Sequence, residues 1–76
     1  MATQAPSSLD ERIGAKVREQ LQDQGMSQQA LADRLEVSPF FISRRLRGIV
    51  PFTVTELGTV AEILHVPVEE LMCGAA

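Results

Sequence analysis

The stretch from Ser27 to Gly48 constrains the fold of this chain more than any other, because it encodes two short helices with almost nothing between them. Gln28 opens the first, and Leu31, Ala32 and Leu35 follow at helical spacing. Val37 and Ser38 come after a tight turn, and Ile42 and Leu46 stripe the second helix. Helices joined this closely cross at a steep angle and need a small residue where their axes come nearest. Ala32, in the middle of the first helix, is that residue. Leu31, Leu35, Val37, Ile42 and Leu46 can then bury against one another and against a third element.

The ends of both helices are written in the residues that flank them. Ser27 can accept a bond from a backbone N–H two or three residues on, with Gln28 and Gln29 in the opening turn. Ser38 followed by Pro39 repeats the signal: a serine cap, then a proline at the first helical position, where its missing N–H costs nothing. Gly48 ends the second helix, since glycine takes the left-handed conformation after a helix without steric cost.

The same signals predict three more helices. Ser8 and Glu11 form a capping box, after which Leu9, Ile13, Val17 and Leu21 recur every fourth residue until Gly25 closes the helix. Thr53 and Glu56 make a second capping box ahead of an apolar stripe of Val54, Leu57, Val60, Ala61 and Leu64. Pro67 introduces a short last helix running through Met72. No run alternates with strand period and there is no repeat, so the expected fold class is all-α with five helices. Residues 1–7, small and polar with one proline, are expected to be a disordered tail, residues 8–72 the folded domain, and residues 73–76 a short C-terminal tail.

Composition agrees with a single small module. Seventy-six residues lie near the lower size at which a core alone suffices, so much of the 45% hydrophobic content must be buried. No apolar run approaches the roughly 18 residues of a membrane span, and the N-terminus lacks the basic and apolar regions of a signal peptide. The chain is expected to be cytoplasmic. Its one cysteine, Cys73, has no disulfide partner and no neighbouring zinc ligands, and reads as a bystander thiol.

A net charge of −3 speaks at first against a polyanionic partner, but its distribution matters more. Residues 1–37 carry four basic and six acidic groups, residues 38–52 carry three arginines and no acid, and residues 53–76 carry four acids and no base. Positive charge therefore sits on the second helix of the pair while acid collects at the other end. A molecule polarised in this way can orient itself on a polyanion.

These residues resemble the phage repressor and Cro family of helix-turn-helix proteins, also called the XRE family. Ile13, Gly14, Lys16, Val17 and Arg18, ahead of Gly25, Met26, Ser27 and Gln28, resemble that family's first helix and its lead into the second. Pro51 through Leu71 resembles its fourth and fifth helices, so roughly residues 9–72 are covered. The resemblance implies a five-helix, lambda-repressor-like DNA-binding domain. The chain departs from the family's pattern in three places, at Glu36, at Arg45 and at the pair Ile49 and Val50. Glu36 stands in the turn where glycine is usual, so a residue with a side chain is expected at positive φ. Arg45 stands where a large apolar residue is common, and since Leu46 reaches the core from Ile42 by an i to i+4 step, Arg45 is expected to point outward. Ile49 and Val50 replace the basic residues often found after the glycine.

Laying the third helix in the major groove of duplex DNA assigns the candidate contacts. With Ile42 and Leu46 facing inward, Pro39, Phe40, Ser43, Arg44 and Arg47 occupy the opposite or flanking faces. The resemblance implies that Pro39, Phe40 and Arg44 meet base edges and that Gln28 anchors a phosphate; Ser38, at the start of the helix, and Ser43 are candidate DNA contacts as well. Arg44 is the candidate for specificity, because its planar fork can bond guanine O6 and N7 together, while Pro39 or Phe40 can pack on a thymine methyl. Arg47, Arg18, Lys16 and Arg45 are candidate phosphate contacts. At i to i+4, Phe40 can also stack beneath Arg44, and Phe41 beneath Arg45, with Phe41 serving packing.

A single reading helix covers few base pairs, so a homodimer on a palindromic operator is expected, with the apolar segment Ile49, Val50 and Phe52 as candidate dimer interface and Phe52 also a candidate lid over the core. No enzymatic chemistry is expected: His65 reads as a helix cap, no second histidine or glycine-rich phosphate loop accompanies it, and Glu69 and Glu70 are adjacent on a short helix. No cofactor, metal or small-molecule ligand is expected. The function this implies is transcriptional regulation by sequence-specific DNA binding, as in a phage or prophage repressor or Cro protein. An antitoxin that also holds a protein partner, or a protein-only adaptor of the same fold, remains as the alternative.

Overall fold

The computed structural model describes residues 8–72. They form five helices: α1 (Leu9–Gln24), α2 (Gln28–Leu35), α3 (Pro39–Leu46), α4 (Val54–Leu64) and α5 (Val68–Met72), with no strand among the described residues. The tails expected at 1–7 and 73–76, Cys73 included, lie outside the described residues.

The starts of α1 to α4 are capped as their sequences dictate. Ser8 Oγ accepts from the Glu11 backbone N–H while the Glu11 carboxylate accepts from that of Ser8, and Thr53 and Glu56 repeat the exchange at α4. Ser27 and Ser38 cap α2 and α3 through the backbone N–H groups of Ala30 and Phe41, each at 3.0 Å, with Pro39 in the first turn of α3. Two helices end on left-handed residues that are not glycine: Glu36 at φ 62° and His65 at φ 58°. Both occupy the positions expected of them, Glu36 in the turn between α2 and α3 and His65 as the cap of α4.

Capping alone would not hold these helices. Eight residues, the length of α2 and of α3, fall short of the roughly 12–15 at which an isolated helix becomes even marginal in water, so burial must stabilise them. Every helix contributes: Ile13, Val17 and Leu21 from α1, Leu31 and Ala32 from α2, Ile42 and Leu46 from α3, Leu57, Val60, Ala61 and Leu64 from α4, and Leu71 from α5. Each fully buried aliphatic side chain among them contributes about 1.5–3 kcal/mol. Leu35, from the end of α2, and Met26 and Val37, from the turns, pack on this core.

Two residues of the expected stripes are exposed. Leu9 leaves the core because each i to i+4 step rotates about 40° further round the helix, which carries the start of a four-residue repeat off the buried face. Val54, 87% exposed, stands on the first turn of α4, where side chains lean toward the helix N-terminus and so project past the core.

Helix α1 seats the others. At Gly14 any Cβ would overlap the Leu46 carbonyl, so the backbones of α1 and α3 meet there directly. One turn on, Arg18 Nη1 donates to the Leu46 carbonyl at 3.0 Å, and Gln24 Nε2 donates to the Leu64 carbonyl at 2.6 Å. These bonds satisfy C-terminal carbonyls of α3 and α4 that have no partner within their own helices. Gly48, at φ 77°, closes the arrangement, since a Cβ there would stand 2.7 Å from the Glu11 Cα.

Candidate nucleic-acid interface

Helix α3 divides its side chains by angle. At about 100° per residue, Phe40, Ser43, Arg44 and Arg47 fall within one arc of roughly 100°, Phe41 and Arg45 lie on its flank, and Ile42 and Leu46 lie opposite. Burial sets the inner side apart: Ile42 and Leu46 are fully buried, Phe41, Ser43, Arg44 and Arg45 are half-buried, Arg47 is exposed, and Phe40 is 67% exposed. Pro39 and the capping Ser38 are exposed beside this arc, at the start of the helix. The candidate base-contacting residues are thus brought together on one open face, and no acidic residue occurs between Ser38 and Phe52.

Two arginines sit over two phenylalanines on this helix, with different surroundings. The Arg44 guanidinium carbon lies 5.4 Å from the Phe40 ring centroid on the open face. Arg45 lies 3.7 Å from the Phe41 centroid, and its Nε donates to Glu56 Oε1 at 3.0 Å. That carboxylate oxygen also accepts from the Thr53 backbone N–H at 2.9 Å, so one side chain both caps α4 and ties it to α3. Burial alone would raise the Glu56 pKa, but the hydrogen bonds from Arg45 and Thr53 and the charge of Arg45 outweigh it and hold the carboxyl below its ordinary value.

The outward-pointing Arg45 expected from the sequence is therefore corrected. Its side chain is 14% exposed and committed to Glu56, because Glu56, in the first turn of α4, reaches the flank of α3 on which position 45 falls. The cation-π pairing with Phe41 is present as expected. Two further candidate phosphate contacts are engaged within the fold: Arg18 bonds the Leu46 carbonyl, and Lys16 pairs with Glu19 at 3.0 Å. Phe52 packs on the core, taking the lid role of its two expected roles, whereas Ile49 is 54% exposed and Val50 half-buried. Gln28 is the exposed first residue of α2.

What the sequence reading missed is the support beneath the reading face. Gly14 and Arg18 stand one turn apart on α1 and both address Leu46, a spacing that points to a common target without naming it. Glu56 was legible as a cap but not as the partner of Arg45. Among the described residues no group of three or more His, Cys, Asp or Glu side chains could hold a metal ion. No helix among them is long and apolar enough to cross a membrane.

The arrangement of α2, the turn and α3 is mirrored in the comparison with known families, where a helix-turn-helix family model matches residues 17–71. The chain belongs to the helix-turn-helix family. Among relatives of this helix-turn-helix chain, the HTH-type transcriptional regulator RamB of Mycobacterium tuberculosis is 35% identical over 54 residues, covering 71% of this chain and 11% of RamB. The chain thus spans about a tenth of the length of the curated relatives it matches. Among solved structures, the clp gene regulator ClgR from Corynebacterium glutamicum superposes with a TM-score of 0.85 at 28% identity, over 92% of this chain and 91% of ClgR. The DNA-binding domain of BldD from S. venezulae superposes with a TM-score of 0.74 at 28% identity, over 86% of this chain and 97% of that one. The five-helix, all-α architecture is accordingly that of helix-turn-helix DNA-binding domains.

Proposed function

We propose that this chain binds duplex DNA by inserting α3 into the major groove and acts as a transcriptional regulator. The observation that carries this reading is the open face of α3, where Phe40, Ser43, Arg44 and Arg47 stand together on a segment free of acidic residues. Arg44 reads a base edge and Arg47 and Gln28 contact phosphates, while Arg45 and Arg18 act from within the fold. Likeness to RamB and ClgR, named as regulators in bacteria, supports a regulator of bacterial genes over a phage repressor or Cro protein. The test is the salt dependence of binding to duplex DNA. The logarithm of the affinity should fall against the logarithm of salt with a slope near −0.9 for each phosphate neutralised. Absence of salt-dependent duplex binding would favour the protein-only adaptor.

Two copies are proposed to bind a palindromic operator, their half-sites centred about 34 Å apart. Exposure of Ile49 just beyond the reading helix supports an apolar contact there with Val50, without Phe52, which the core already holds. Val50→Glu would place like charges near a two-fold axis. Analytical ultracentrifugation on a palindromic duplex should find two copies bound for the wild type and weakened pairing for the variant. Unchanged pairing in the variant would remove this segment from the interface.

A further inference from the structure

Phe40 is a large apolar side chain left two-thirds in water on a helix whose other large apolar residues, Phe41, Ile42 and Leu46, are half-buried or buried. The Arg44 guanidinium lies over its ring, 5.4 Å from the centroid. This face pairs an apolar surface with a planar cation, and the major groove offers one apolar feature to match the first, the 5-methyl group of a pyrimidine. Guanine, with O6 and N7 side by side, matches the second. Their spacing can be estimated as well. Base pairs stack about 3.4 Å apart, so groups 5.4 Å apart on one helix face span one to two base-pair steps.

We propose that Phe40 and Arg44 act as one reading unit for a thymine methyl and a guanine one to two base pairs apart, Phe40 being the residue that selects the methyl. This rests on the DNA-binding reading above and sharpens it, because it names the chemical group read by a side chain that can make no hydrogen bond to a base. Arg44 contributes twice: it bonds guanine, and it shields one side of the Phe40 ring so that the remaining surface meets the methyl.

The test uses the whole chain and a duplex selected from a random pool. Each thymine of the selected site is replaced in turn by uracil, which deletes the methyl and leaves the pairing edge unchanged. At one position the replacement should weaken wild-type binding about fourfold, the worth of one methyl group removed from an apolar contact. Phe40→Ala should bind the thymine and uracil duplexes equally, and Phe40→Leu, which keeps an apolar surface, should retain the preference. Melting curves should show both variants folded, since Phe40 lies outside the core. A guanine one to two base pairs from that thymine, replaced by 7-deazaguanine, should weaken the wild type and leave Arg44→Ala unaffected. At the same position 5-methylcytosine should bind better than cytosine, because it presents the same methyl; equal binding of the two would overturn the methyl contact. Salt-dependent binding without discrimination of thymine from uracil, or discrimination that survives Phe40→Ala, overturns the reading unit and leaves the DNA-binding function standing. Failure to bind any duplex in a salt-dependent manner overturns both.

Discussion

Phe40–Arg44 and Phe41–Arg45 are the same two residue types at the same spacing, one residue apart on one helix, and they end in opposite circumstances. The outer pair is loosely stacked, with the ring 67% exposed and the arginine half-buried. In the inner pair the guanidinium lies on its ring at 3.7 Å and bonds Glu56, with the arginine side chain 14% exposed. A step of one residue turns a side chain by about 100°, which is enough to move it from the outer arc to the flank that Glu56 of α4 reaches. The difference teaches that basic residues on one helix are not interchangeable: Arg45 fixes the helix, and Arg44 is left without an acidic partner on its outer arc.

The largest effect should come from removing the seat that both pairs share. Gly14→Ala places a Cβ against the Leu46 carbonyl, and the overpacking should cost about 2–3 kcal/mol, lowering Tm by roughly 10 °C or more. A melting curve little changed would mean that α1 and α3 can separate there without penalty.

Exchanging the roles of the two arginines tests the comparison directly. Arg44→Ala should lose about 1–3 kcal/mol on the preferred duplex, lose far less on random duplex, and melt within a few degrees of the wild type. Arg45→Ala should do the reverse, melting lower while keeping the salt slope of the wild type, since its charge is already spent on Glu56. Indistinguishable binding profiles for the two variants would erase the distinction between the pairs.

Glu56 sharpens the inner pair further. Glu56→Ala removes half of a capping box and leaves Arg45 half-buried without its partner, at a cost of about 1–2 kcal/mol. The folded-state pKa of Glu56 lies below its unfolded value, so its contribution is fully present above the ordinary carboxylate range, near pH 4.3, and is lost as pH falls through the lowered value. The gap in Tm between wild type and Glu56→Gln should therefore be constant at neutral pH and narrow in acid below about pH 4. A gap that widens in acid would mean that the carboxylate is not held by Arg45.

The smallest effect lies in the turn that sets the reading helix at its angle. Glu36 sits at φ 62°, and Glu36→Gly should relieve strain by slightly more than glycine adds in unfolded-chain entropy, raising stability by about 0.5 kcal/mol. Calorimetry finding a clear loss instead would mean that the Glu36 side chain contributes contacts outweighing its strain.

Much of this molecule could be read before its fold was known. Ser8, Ser27, Ser38 and Thr53 each start a helix, Gly25 and Gly48 lie beyond the ends of two, and Glu36 and His65 take left-handed conformations where the order of residues placed them. The outer arc of α3 follows from the positions of Ile42 and Leu46 alone. Stripe edges were harder: Leu9 and Val54 fit the periodicity, yet the core does not reach them.

Caps, turns and stripes were legible because each depends on residues three or four apart, whose relative positions any helix dictates. The fates of Arg45, Arg18 and Gln24 were not, because their partners stand 11, 28 and 40 residues away and are met only when helices pack. Periodicity says which side of a helix is buried, but not which backbone carbonyl or carboxylate waits at its edge. By itself, then, the sequence determined five helices and the face that α3 turns outward. Tertiary structure alone decided that Gly14 admits the Leu46 carbonyl and that Arg45, not Arg44, is tied to Glu56, because close approach between elements depends on how whole helices are seated against one another.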